Sequence, residues 1–252
     1  EKYEGLTVNA SEVINGAGGV VTDDSGKPNV NTPEAAKGLD FLVNGFKQGY
    51  IPKEAITYKE EEGRASFQAG KLIFHRNWPY VYNLANGDAG TKVKGKFAVA
   101  PLPGLDGPGK SSLGGHNFGI STYSKHKKSA LEFIKFMTSA DRQKKNLQLA
   151  SQAPTIASLY DDKTLQAKFP YLPTLRDSIN NAVPRPKVVR YGDASTAIQD
   201  AAYAALTRAA SACAALPHAP ERTYPAGVPS GSRFIGSIAN CRLAPPCKKS
   251  TL

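Results

Sequence analysis

The sequence predicts an α/β fold. Segments with apolar residues at helical spacing alternate with short apolar runs of strand length, and Gly and Pro punctuate the junctions. At 252 residues with 40% apolar content, the chain is long enough for one large domain or two small ones with real cores.

Thr32 before Pro33 reads as a helix start, an N-cap residue followed by Pro at the first helical position. Leu39, Leu42, Val43 and Phe46 then recur at helical spacing, and Gly49 stands where a C-terminal stop belongs. A second helix is predicted over 57–68, with Thr57 and Glu60 placed as a capping box. Leu72–Asn77 reads as a short buried strand. Two further strands are predicted at Phe97–Leu102 and Phe118–Ser121, separated by a loop rich in Gly and Pro. Ala130, Phe133, Ile134 and Met137 mark a third helix. Leu147 and Leu149 lie on a fourth that begins near Ser139, and Ile198, Ala201, Ala202 and Ala205 mark another after Asp193 and Ser195.

The texture changes near residue 208. The stretch Ala209–Leu252 is rich in Ala, Pro, Ser and Arg and loses helical periodicity after Leu216. It holds all three cysteines, Cys213, Cys241 and Cys247, whose spacings fit no zinc pattern. Residues 208–252 carry six of the 32 basic residues and one acid, Glu221. This segment is expected to be an atypical, disordered tail, either a frameshifted or spliced end or a genuine flexible extension.

The formal net charge is +11. In the first 207 residues the basic side chains are scattered, with one tight cluster at Lys125, Lys127 and Lys128. No nucleic-acid-binding module accompanies the charge, so no nucleic-acid partner is expected. No apolar run approaches membrane-spanning length, and the sequence as given shows no signal segment. A cysteine-free body from 1 to 212 suits an exported bacterial protein.

Catalytic patterns are thin. Gly104-Leu105-Asp106-Gly107-Pro108-Gly109-Lys110-Ser111 has phosphate-loop spacing. That chemistry needs a helix next, with its first amides facing the phosphates, and Ser112-Leu113-Gly114-Gly115-His116 is too glycine-rich for one. Pro108 also removes an amide, so a surface loop is expected. The four histidines are dispersed, and no nucleophile elbow, paired-histidine zinc motif or dinucleotide fingerprint occurs. Neither a cofactor nor a metal is expected. Glu60, Glu61 and Glu62 fit helix-start acids.

The segment Arg76-Asn77-Trp78-Pro79-Tyr80 is different. The chain's only Trp follows a predicted strand and precedes a helix begun by Pro79. A flat indole at such a junction can stack on the apolar C–H face of a sugar ring. The competing reading makes Trp78 a large core residue.

Eight motifs follow in order. They are Tyr3-Glu4-Gly5-Leu6, the run from Tyr58 to Arg64, Phe67-Gln68-Ala69-Gly70, the Trp78 segment, the run from Lys94 to Pro103, Leu113-Gly114-Gly115, the run from Ile120 to Ser124, and the run from Asn181 to Pro186. In this order and spacing, residues 1–207 resemble family 1 extracellular solute-binding proteins of bacterial ABC importers, nearest the trehalose/maltose-type binding lipoproteins. The resemblance implies a periplasmic-binding-protein-like two-lobed fold of type II, with a sugar held in the cleft and no covalent chemistry. It implies an incomplete copy: residues 1–95 and 141–207 as the second lobe, and 96–140 as a segment crossing back into the first.

Carried over by position, Trp78 is the stacking residue. Gly115 and His116 belong to a loop that reaches the ligand, although relatives often have Trp where His116 stands. Arg185 would bind sugar hydroxyls, with a surface ion pair as its alternative. Glu60 stands where relatives place a ligand-facing acid, with capping as the competing role. The implied partners are a di- or oligosaccharide and the membrane permease subunits of an ABC importer. The implied state is a monomer, exported to the periplasm or the outer face of the membrane and lipid-anchored in the full-length parent. A half-cleft would bind sugar weakly or not at all. The alternatives are a nucleotide-binding phosphate-loop enzyme, a glycoside hydrolase with two carboxylates across a pocket, and a truncated product without function.

Overall fold

A computed structural model describes residues 1–87 and 89–208. Nine α-helices run through these residues: α1 (Glu4–Gly16), α2 (Pro33–Lys47), α3 (Glu60–Gln68), α4 (Val81–Gly87), α5 (Lys127–Thr138), α6 (Ala140–Ala150), α7 (Lys163–Lys168), α8 (Leu172–Asn180) and α9 (Tyr191–Arg208). Short 3₁₀ turns occupy Lys53–Thr57 and Ala157–Tyr160. Among the described residues the strands are two residues long, Ser112–Leu113 and Val183–Pro184. The expected tail from 208 onward lies, beyond Arg208, outside the described residues.

The chain forms two compact units. One takes Glu1–Lys59, Leu102–Ser112 and the chain from Ala182 on; the other takes Glu60–Pro101 and Leu113–Asn181.

The core of the first unit is built by α1, α2 and α9. Leu6, Ala10 and Ile14 of α1 pack with Ala35, Leu39 and Val43 of α2 and with Ala194, Ile198, Ala202 and Ala205 of α9. Each set repeats every three or four residues, so one stripe of each helix faces the others. The close approach of α1 and α2 depends on Gly38, where a Cβ would lie 2.3 Å from the carbonyl oxygen of Val13. The start of α2 is as the sequence predicts. Thr32 is extended, and its Oγ1 accepts from the Ala35 N–H at 3.2 Å. Gly49 follows the helix at φ +75°, a left-handed value that suits Gly. Within the same unit the Glu12 carboxylate, on α1, accepts from the Ser112 N–H at 3.0 Å, and the Val183 N–H donates to the Ser111 carbonyl at 2.8 Å.

The second unit gathers Leu147 of α6, Leu159 and Tyr160 of the 3₁₀ turn, Leu165 of α7, and Phe169, Tyr171 and Leu172 at the entry to α8. Two caps set its helices. Ser139 Oγ accepts from the Arg142 N–H at the start of α6, as expected. Asp162 Oδ1 accepts from the Thr164 and Leu165 N–H groups at the start of α7, while its Oδ2 pairs with Lys144 at 2.6 Å. These partners hold the Asp162 carboxyl well below the usual carboxylate range, led by the Lys144 ammonium.

Several expectations are corrected. The helix expected over 57–68 begins at Glu60, and Thr57 does not cap it. Thr57 closes the 3₁₀ turn, its hydroxyl donating to the Glu54 carbonyl at 2.8 Å. The segments 72–77, 97–102 and 118–121 are not strands, nor is Leu72–Asn77 buried: Ile73 and Phe74 are 88% and 90% exposed. A strand is stable only where a neighbour takes its backbone groups, and among the described residues these segments have no ladder partner. The helix after Trp78 begins at Val81, with Pro79 in the turn before it. Helix α5 forms where predicted, yet none of its residues is buried.

Candidate functional site

Trp78 is half-buried, not a core residue. Its indole is fixed from two sides within the second unit. The Nε1–H donates to Oε1 of Glu60 at 3.3 Å. The far edge of the ring lies against Gly114, where a Cβ would come within 3.2 Å of Cζ3 and 3.3 Å of Cη2. The Arg76 guanidinium lies over the ring, 4.5 Å from its centroid, in cation–π geometry.

The backbone that carries Trp78 is held by side chains instead of a strand ladder. Asn77 Nδ2–H donates to the Glu60 carbonyl at 3.0 Å, and Asn77 Oδ1 accepts from the Trp78 N–H at 2.8 Å. His75 stacks on Phe67, centroids 5.5 Å apart, and its Nε2 lies 3.2 Å from Asn77 Nδ2. Burial, helped by the nearby Arg76 charge, pulls the His75 pKa from 6.5 to about 4, so the ring is neutral near pH 7. Phe97 continues this aromatic row, edge-on to both Phe67 and Tyr82.

Glu60 is the first residue of α3, a position that favours a carboxylate through the helix dipole. Next to it, Glu61 accepts from the Tyr80 hydroxyl at 2.6 Å and pairs with Arg64 at 2.6 Å. The Tyr80 hydroxyl, then Arg64, holds the Glu61 carboxyl below its usual range; burial and Glu61 push the Tyr80 phenol upward.

Of the residues singled out from sequence, Trp78, Glu60 and the 114–116 loop fall in this one unit. Gly115 has φ +155° and is exposed, and His116 beside it is exposed. Arg185 lies in the first unit, in an ion pair with Glu4 at 2.7 Å. Sequence reasoning missed Arg76 and Asn77 beside Trp78 in the second unit and, separately, Glu4 as the partner of Arg185 in the first. The signal for the first two was adjacency to the chain's only Trp. The Gly104–Ser111 segment is the expected loop: the Gly109 N–H closes it on the Leu102 carbonyl at 2.6 Å, and no helix follows. Among the described residues no cluster of three or more His, Cys, Asp or Glu could hold a metal.

This geometry holds the indole in a fixed orientation, with Arg76 over one face and an acceptor carboxylate at its Nε1 edge. Such an arrangement suits a ligand with an apolar face and a rim of hydroxyls.

Residues 2–144 match the family model described as bacterial extracellular solute-binding protein. A probable ABC transporter-binding protein of Deinococcus radiodurans is 40% identical over 213 residues, 82% of this chain and 50% of the relative. Among solved structures, maltose-bound MalE3 of T. maritima is 36% identical with a TM-score of 0.79, covering 94% of this chain and 57% of that one. An ABC transporter solute-binding protein from Agrobacterium radiobacter K84, in complex with ribitol, is 27% identical with a TM-score of 0.68, covering 83% of this chain and 54% of that one. The chain thus spans about half the length of that relative. The fold class is the type II periplasmic-binding fold, and the largely helical chain carries part of it.

Proposed function

The chain belongs to the bacterial extracellular solute-binding protein family, and we propose that it binds a carbohydrate, a disaccharide such as trehalose or maltose, for uptake by an ABC importer. Its role is to hold the ligand, without making or breaking bonds. The partners in this reading are the membrane permease subunits, and the place is the periplasm or the outer face of the membrane, with a lipid anchor on the parent protein. The lobe assignment, 1–95 and 141–207 with 96–140 crossing back, belongs to the same proposal. The two compact units divide the chain at other positions.

One observation carries the reading. Trp78 stands half-buried, with Nε1–H on Glu60 and its far edge on Gly114. An indole locked in this way is an aromatic platform made in advance, which lowers the entropy lost when a sugar stacks on it. Glu60, Gly115, His116 and Arg185 would supply polar contacts to the hydroxyls. The maltose and ribitol in the related structures support a polyhydroxylated ligand.

Trp78 is the only indole in the chain, so its emission tests the proposal directly. Titration with maltose, trehalose and a panel of other sugars, carried well above millimolar concentration, should give a saturable change for at least one disaccharide. The heat of sugar binding measured by isothermal titration should be lost in Trp78→Ala. Saturation only at such high concentrations would match the weak binding expected of a half-cleft, and no response to any sugar at all would overturn the proposal that this chain binds one.

A further inference from the structure

Glu4, the first residue of α1, gathers three donors on one carboxylate. Arg185 Nη1–H donates to Oε1 at 2.7 Å, and the Tyr191 hydroxyl donates to the same oxygen. Ser195 Oγ–H donates to Oε2 at 2.5 Å. Behind Ser195, its Oγ lies 2.7 Å from Thr7 Oγ1 and accepts from Gln199 Nε2 at 3.0 Å. Burial, then the hydrogen bond to Glu4, pushes the Tyr191 phenol up to about 12, so it stays a donor. This network ties α1, the Pro184-Arg185-Pro186 segment and α9 together inside one unit.

An isolated ion pair with side chains 28% and 41% exposed would add little stability. Three donors converging on one carboxylate do something else: they fix its direction, and through it the plane of the guanidinium. Among the described residues Glu4 is the one hydrogen-bond and ion-pair partner of the Arg185 side chain, and it engages one corner, Nη1. The opposite edge, Nε–H with Nη2–H, is a rigid pair of parallel donors. Its spacing matches two acceptor oxygens on adjacent carbons.

We infer that Glu4 is the positioning residue for Arg185, holding the Nε–Nη2 edge ready for a vicinal diol of the ligand. The inference rests on the proposed reading that this chain binds a carbohydrate and that Arg185 touches it. The ion pair foreseen as the alternative to ligand binding is then the device that prepares it. An unsupported arginine would pay rotamer entropy on binding; one held by Glu4 has lost it already.

The test is a double-mutant cycle read by isothermal titration with maltose and trehalose, on the full chain. Glu4→Gln, close in shape, should weaken binding about tenfold. In the Arg185→Ala background the same change should have no further effect. The Trp78 emission change at saturation should persist in Glu4→Gln, since the stacking partner is untouched. A variant merely loosened in its fold would lose affinity equally with and without Arg185, and that outcome overturns the inference, as does wild-type affinity in Glu4→Gln. Should Glu4→Gln fail to fold, Glu4→Asp, which keeps the charge and shortens the reach, takes its place in the cycle. If Trp78→Ala and Arg185→Ala both bind as the wild type does, the reading of the site fails, separately from the role of Glu4.

Discussion

Trp78 and Glu60, eighteen residues apart, are joined by a hydrogen bond from the indole Nε1–H to Oε1 of the carboxylate at 3.3 Å. The bond leaves Oε2 of Glu60 without a hydrogen-bond partner among the described residues. The acid therefore serves twice in the proposed site, fixing the platform and keeping an acceptor for a hydroxyl. Glu60→Ala should release the indole and lower sugar affinity by about tenfold, the order expected for losing one charge-assisted hydrogen bond. Glu60→Gln retains an acceptor for Nε1–H and should lose less. Emission spectra of the free proteins check the first half, since the released indole should shift in Glu60→Ala alone, and titration checks the second.

The glycine next to the platform gives a sharper steric test. Alanine at position 114 would place its Cβ 3.2 and 3.3 Å from the indole edge, tight enough that the ring must give by a few tenths of an ångström. Gly114 is not among the residues of positive φ, so the backbone itself accepts alanine. Gly114→Ala should weaken sugar binding several-fold and shift Trp78 emission while the thermal midpoint stays nearly unchanged. Gly115→Ala should behave differently. Its φ of +155° strains an L residue, and about 1 kcal/mol of stability should be lost whatever the sugar does. Thermal scans of the two variants beside their titrations separate these outcomes.

The contrast between what the sequence disclosed and what it hid follows from the range of each interaction. Helix α2 was legible because Thr32, Pro33 and Gly49 act within a few residues of the ends they set. Helix α1 was missed: Tyr3, at its N-cap, makes no side-chain cap bond, although Leu6, Ala10 and Ile14 kept the spacing. The strands failed for the opposite reason. Ile73 and Phe74 have the composition of a strand, but a strand also needs neighbours that composition does not supply. In the site, Trp78 stood out as the only one of its kind. The link of Glu4 to Arg185 spans 181 residues, and no local pattern encodes it.

His75 makes the second unit sensitive to acid. Its pKa is about 4 in the fold and ordinarily 6.5, mainly because burial disfavours the imidazolium. As pH falls below about 6.5 the unfolded chain takes up the proton first, so unfolding is favoured progressively until about pH 4. Below that value both states are protonated, and this loss is complete. Urea midpoints of the wild type should fall between pH 7 and pH 4 more steeply than those of His75→Asn. Carboxylates titrate in both proteins, so the difference between the two curves isolates the imidazole. Parallel curves would refute the assignment.

Packing in the second unit can be tested at Leu172, the first residue of α8. The side chain is fully buried among Leu147, Phe169 and Tyr171, and the Leu172 N–H also closes a turn on the Phe169 carbonyl at 3.0 Å. Pro173 follows at the second helical position, where its missing N–H costs nothing. Local signals thus start the helix, and Leu172 fastens it to α6 and α7. Leu172→Ala removes three buried carbons from a site with rigid neighbours, which should cost about 2–5 kcal/mol. The backbone turn survives the change, so the loss reports packing and not the turn. Val189, fully exposed, is the control: Val189→Ala should stay within about 0.5 kcal/mol of the wild type. Urea unfolding should show the Leu172→Ala midpoint lowered with the slope unchanged, because the surface exposed on unfolding is nearly the same. Equal midpoints for the two variants would mean that α8 is not held by this core.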